Sequence, residues 1–189
     1  MDTSRERLPV ELVPHRAEWA AMAQTEAARL REAIGGDIVM HIHHIGSTSI
    51  PGICAKPTID LMAVVTSHRV LEMRKAALVA SGYEWLGEFG IPGRRFISLT
   101  EGQPRKRLFN VHCFENAPAV VARHLAFRDY MRSHPDTAKA YEAEKLRARD
   151  LYPNDTLAYS QEKGAWIKQA ERAAVEWYNA RHSIASPGS

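Results

Sequence analysis

The chain has 189 residues, 45% of them hydrophobic and 25% charged, with a formal net charge of +3. It is long enough to bury a real core, and its two cysteines, Cys54 and Cys113, exclude a disulfide framework. No apolar run approaches the roughly 18–20 residues of a membrane span, so a cytoplasmic protein with no membrane partner is expected, and the slight positive charge suits small anions without demanding nucleic acid.

In chain order, the segment after Pro14 places Trp19, Met22, Ala23, Ala27, Leu30 and Ile34 at helical spacing, and Gly35-Gly36 closes it. Residues 38–45 alternate Ile38, Met40, Ile42 and His44 on one face with Val39, His41, His43 and Ile45 on the other, the period of a strand. A loop with a Pro51-Gly52 turn leads to TIDLMAVV, residues 58–65, β-branched and apolar enough for a buried second strand. Residues 68–80 read as a helix closed by Ser81-Gly82. GYEWLG, GRRFISLT and RLFNVHCFE read as three more strands, punctuated by Ile91-Pro92-Gly93 and Gly102-Gln103-Pro104.

From Pro118 the strand pattern stops, and three segments, the last from Asp155 to about Arg181, are helix-like. Ser133-His134-Pro135-Asp136 offers an N-cap, a proline at the first helical position and an acid in the first turn, and Asp155 is placed to cap the last helix. The layout is an α/β domain over residues 8–117, a helical subdomain over 118–182 and a disordered tail at 183–189. A cleft between two such parts is where ligands prefer to sit.

The chemistry centres on HIGSTSIPGICAKPTID, where a Gly-Ser loop joins the first two strands and Asp60 interrupts the second. Gly46 lets a phosphate approach the backbone, Ser47 and Thr48 supply hydroxyls and amides, and Asp60 can hold a divalent cation bridging phosphates. An acid among Ile59, Leu61, Val64 and Val65 risks an unpaired buried charge, so it needs a cation or hydrogen-bond donors.

The same stretch resembles the signature of the GrpB family of bacterial proteins, and PHRAEW, IPGRRF, FNVHCFE, LAFRDYMRSHP and LYPNDTLAYSQEKGAWI extend the resemblance from about Val10 to Trp177. The resemblance implies a nucleotidyltransferase-like α+β fold, with a mixed sheet, flanking helices and a C-terminal helical subdomain. The wider superfamily is similar in carrying an Asp-x-Asp/Glu pair on the strand after its Gly-Ser turn. Here Met62 takes the second carboxylate's place, on Asp60's face of the strand.

The activity that the resemblance implies is that of a metal-dependent transferase, moving a nucleoside monophosphate from a nucleoside triphosphate to a small-molecule acceptor. In that reading Asp60 and His112 are the catalytic residues and the ligands of one divalent cation, Mg2+, Mn2+ or, through the imidazole, Zn2+. Gly46, Ser47, Thr48, Lys56, Arg95 and Lys163 bind the nucleotide or its phosphates. The alternative is a non-catalytic protein binding a nucleotide or a CoA-like ligand on a degenerate fold, which Met62 favours. A third idea, RNA contact through Arg105-Lys106-Arg107, competes with a solvated hairpin tip. His41 and His43 read as edge or partly buried histidines, His44 stands apart because it matches the family motif and directly precedes the phosphate loop, and Arg128 with Asp129 reads as a structural ion pair pinning helix to sheet.

Overall fold

The structure, a computed structural model, describes residues 9–103 and 105–183. Leu8, Pro104 of the expected Gly-Gln-Pro turn, and residues 184–189 of the expected tail lie outside the described residues. Five strands, β1 (Val39–Ile45), β2 (Ile59–Val65), β3 (Tyr83–Trp85), β4 (Arg94–Glu101) and β5 (Lys106–Glu115), form one sheet in the order β1-β2-β5-β4-β3. Only the central β2–β5 pair is parallel. The sheet is therefore mixed, with helices flanking it, an α+β arrangement.

Period-two alternation gives each central strand two working faces. Ile59, Leu61, Ala63 and Val65 of β2 and Phe109, Val111 and Cys113 of β5 bury one face against Trp19, Ala23, Leu30 and Ile34 of α1 (Glu18–Ile34). Leu71 of α2 (His68–Met73) and Leu78 of α3 (Lys75–Ala80) join the same core. On the other face, Ile45, Met62 and Phe114 pack under Val120, Val121 and Leu125 of α4 (Pro118–Ser133). Strict alternation along β1 does not hold. A bulge between Val39 and His41 leaves Met40 exposed and turns both Val39 and Ile42 to the α1 core.

Beyond α4 come α5 (Pro135–Leu151), α6 (Thr156–Glu162) and α7 (Gly164–Ser183). Asp155 caps α6, accepting from the amides of Leu157 at 3.0 Å and Ala158 at 2.9 Å. Pro135 does open α5, but Ser133 ends α4 and His134 takes the cap position without a side-chain cap bond. Its Nδ1 instead donates to the Tyr130 carbonyl at 2.8 Å. Two expected helices are each two. The break at Lys163 precedes Gly164, a poor helix former, whereas the break at Arg74 has no Gly or Pro to announce it.

The loop after β1 is part of the helical half. Ile50 and Ile53 are buried among Met131, Ala138, Tyr141 and Ala170. Cations from α4 and α5 hold the end of β1 and the loop: Arg128 donates to His44 O of β1 at 3.2 Å, and in the loop Arg132 donates to Ser49 O at 2.8 Å, Lys139 to Gly52 O at 2.9 Å, and Lys145 to Cys54 O. Arg128 also pairs with Asp129 through bonds of 2.7 and 3.2 Å, so the expected pair does tie helix to sheet. Three charge-assisted bonds to loop carbonyls thus tie the loop to α4 and α5.

Candidate functional site

Asp60 sits near the start of β2, on the α4 face, with its side chain 28% exposed. The parallel register sets Asn110 beside it and His112 beside Met62. Asn110 Nδ2 donates to Asp60 Oδ1 at 2.8 Å, and His112 Nε2 lies 3.7 Å from the same oxygen. Gly46 closes the other side. Its φ of 72° is open to glycine, and a Cβ there would meet Asp60 Oδ2 at 2.5 Å. The carboxylate is thus packed directly against the Gly-Ser loop, so the group that closely approaches Gly46 here is Asp60, where the sequence led us to expect a phosphate.

Burial works against the charged form of Asp60, but His112, Asn110 and Lys56 outweigh it, and the carboxyl is held below its ordinary range. Lys56, on the loop, and Lys163, between α6 and α7, both reach the Tyr159 ring, at 6.0 and 4.4 Å from its centroid. Burial, then the charges of Lys56 and Lys145, lowers Lys163 to about 8. Burial likewise brings Lys145 to about 8 and lowers Lys56, which Asp60 opposes. Asp60 thus lies within electrostatic reach of two lysines, Lys56 and Lys163, whose charged forms burial disfavours first of all, an arrangement that a polyanion would relieve.

The predicted residues separate into three groups. Asp60, His112, Gly46, Lys56 and Lys163 come together. Ser47 and Thr48 stand next to them in a 3-10 turn, but Thr48 is buried and its hydroxyl is bonded to His44 Nε2 at 2.9 Å, so that group serves the loop. Arg95 is elsewhere. It lies opposite Cys113 on β5, on the α1 side of the sheet, and is paired with Glu72 at 2.6 Å. Arg94 is the arginine that meets the site, donating to His112 Nδ1 at 3.1 Å. The Arg94-Arg95 doublet hid which member faces which way until register was fixed.

Because a guanidinium only donates, Nδ1 of His112 accepts and the ring proton sits on Nε2, toward Asp60. That turns the imidazole N–H toward the carboxylate, 3.7 Å away and just beyond hydrogen-bonding distance. His124 on α4 also adjoins the site. Its burial, then the charges of Arg123 and His112, pushes it down to about 4, and no sequence pattern had marked it. Met62 is 0% exposed in the α4 core. The position of a second carboxylate is filled by packing.

Residues 9–173 match the profile of the family described as GrpB protein. The chain belongs to the GrpB family. A relative, protein YqkA of Bacillus subtilis, is 38% identical over 174 residues, covering 92% of this chain and 50% of its own length. The chain thus spans about half of that relative. The crystal structure of the conserved protein GrpB from Enterococcus faecalis is 31% identical, with a TM-score of 0.81 over 89% of this chain and 99% of that one. The Cid1 poly(U) polymerase, in its form with Mg and 3'-dATP, is 15% identical. Its TM-score is 0.51, over 80% of this chain and 49% of that one, which shows a shared fold and nothing finer. Among the described residues of this GrpB protein, no helix is long and apolar enough to cross a membrane.

Proposed function

We propose that this GrpB protein binds a nucleoside triphosphate with a divalent cation at Asp60 and transfers the nucleotidyl group to a small acceptor. The observation that carries the reading is the packing of one ionised carboxylate against Gly46, with Lys56 and Lys163 across from it. Lys56 and Lys163 neutralise phosphate charge, Asn110 fixes the carboxylate's orientation, and His112 holds or passes a proton at Nε2.

The donor set decides what kind of cation fits. Among the described residues no three His, Cys, Asp or Glu side chains converge as a metal site. One carboxylate completed by phosphate oxygens and water suits Mg2+ or Mn2+ arriving with the nucleotide, and it does not suit zinc, which takes most of its ligands from the protein. Bound there, such an ion would neutralise charge developing on the phosphoryl oxygens.

The second reading, nucleotide binding without turnover, has one observation in its favour: Met62 is core, so the site offers a single carboxylate where related chemistry uses two. Calorimetric titration of the four ribonucleoside triphosphates, with Mg2+ or Mn2+, into wild type and Asp60→Ala tests the site. Binding that needs metal and vanishes in the variant is the expected result, and a folded wild type that binds none of them refutes both readings. Pyrophosphate release in the presence of acceptors then separates transferase from sensor.

A further inference from the structure

Arg94 and Phe96 of β4 stand opposite Phe114 and His112 of β5, on the sheet face that carries Asp60. Arg94 is 4% exposed, and among the described residues no carboxylate pairs with it. Glu88, the acid nearest to it in the chain, turns its carboxylate to the Gly93 amide at 2.8 Å and stands 3.7 Å from Arg95. The guanidinium of Arg94 donates instead to the carbonyl of Glu88, at 3.1 and 3.3 Å, and to that of Phe89, at 2.8 Å. It lies 4.6 Å from the centre of the Phe96 ring, and its remaining arm, Nη1, reaches His112 Nδ1 at 3.1 Å. A buried cation with no acid beside it is costly, and a neutral donor would serve the loop carbonyls as well.

What the guanidinium adds falls on His112. A metal-bound histidine ordinarily donates its second ring N–H to a carboxylate or carbonyl, which makes the ligating nitrogen more basic. His112 has the reverse arrangement. Its Nδ1 accepts from a group with no lone pair to offer, so electron density is drawn off the ring and the proton stays on Nε2. A ligand or a base needs a bare nitrogen, and here Nδ1 is taken and Nε2 is protonated. Among the described residues that N–H has no acceptor within hydrogen-bonding distance, since Asp60 Oδ1, which it faces, is 3.7 Å away. The side chain keeps 19% of its surface exposed, so the donor is left for a ligand.

We infer that Arg94 is a positioning residue that keeps the His112 proton on Nε2, so that His112 meets a bound phosphate as a hydrogen-bond donor and serves neither as a metal ligand nor as a base. This rests on the phosphate site proposed at Asp60 and adds the part that His112 plays there. Asp60 then holds the cation, and the imidazole donates to a phosphate oxygen. The same Arg94 side chain holds the Glu88 and Phe89 carbonyls, so the loop between β3 and β4 and the imidazole are set together.

Long-range proton–nitrogen correlation NMR of the ligand-free protein, with His112 identified by its loss in His112→Gln, reads the ring nitrogens directly. Nε2 should carry the proton, and bare Nδ1 should resonate upfield of a free imidazole nitrogen because it accepts from Arg94. In folded Arg94→Met that resonance should return to the free position. A proton on Nδ1 in wild type overturns the inference whether or not the variant folds, and so does an Nδ1 resonance unmoved in folded Arg94→Met. Adding Mg2+ and tripolyphosphate should shift the Nε2 proton downfield without removing it. By calorimetry, tripolyphosphate affinity should fall about tenfold in His112→Leu, the loss expected of a hydrogen bond to a charged group. It should stay near wild type in His112→Gln, whose amide offers an N–H at a similar place. Loss of the Nε2 proton on binding, or equal affinity in wild type and His112→Leu, overturns the donor while the phosphate site stands. Failure of wild type to bind tripolyphosphate overturns both.

Discussion

Replacing Gly46 by alanine should destabilise the protein by about 2–6 kcal/mol, in two separable parts. Gly46 lies at φ 72° and ψ −176°, a region occupied almost only by glycine, where a side chain costs roughly 1–3 kcal/mol. The added Cβ would also stand 2.5 Å from Asp60 Oδ2, 3.0 Å from its Cβ and 3.1 Å from its Cγ. The carboxylate cannot retreat freely, because Asn110 holds Oδ1 at 2.8 Å. Overpacking against a held group adds about 1–3 kcal/mol. For a chain of this size each kcal/mol lowers Tm by about 2–4 °C, so a fall near 10 °C is expected by circular dichroism. Urea denaturation of wild type, Gly46→Ala, Asp60→Ala and the double variant divides the cost. In the Asp60→Ala background Oδ2 and Cγ are gone, and the penalty of Gly46→Ala should shrink by about 1 kcal/mol or more. An equal penalty in both backgrounds would show that close approach to Asp60 is not what makes Gly46 glycine.

Two further outcomes concern half-buried titratable groups. His44 is pushed down to about 4 by burial and by Arg132 and Arg128, and His124 to about 4 by burial and by Arg123 and His112, both from an ordinary 6.5. The unfolded chain therefore binds more protons below pH 6.5, so stability is full above that pH and falls as pH drops toward 4, by up to about 3 kcal/mol per histidine. Urea midpoints between pH 7 and 4.5 should decline less steeply in His44→Gln, and parallel curves would refute the assignment. Lys163, lowered to about 8 by burial and its lysine neighbours, is protonated at neutral pH and loses its charge as pH rises through 8. Tripolyphosphate affinity should therefore fall between pH 7 and 9 in wild type and change less in Lys163→Met, and identical slopes would remove Lys163 from the phosphate site.

Several features of the site were legible because short-range chemistry sets them. The sequence singled out the Gly-Ser loop and the lone acid of the next strand as one locus, and the structure does bring Gly46 and Asp60 together, by direct packing that the sequence did not announce. The Arg128–Asp129 pair could be read from adjacent charges in a helix that had to anchor somewhere. Lys163 and Tyr159 stand one helical turn apart, whereas the place of Lys163 beside Lys56 depends on α6 and α7 folding back over the loop. The choice between Arg94 and Arg95 was not legible, since a one-residue change of register exchanges the faces of a strand.

By itself the sequence determined the alternation of elements, the five strands, the capping of α6 by Asp155 and the loop that meets Asp60, because periodicity, turn chemistry and caps act over a few residues. Tertiary structure alone decided the order β1-β2-β5-β4-β3, which puts Asn110 and His112 beside Asp60 from fifty positions away. It also decided that Met62 is core and that His124 and Arg94 border the site. Each of these depends on which distant segments share a face, and that is fixed by strand register and the packing of helices on the sheet.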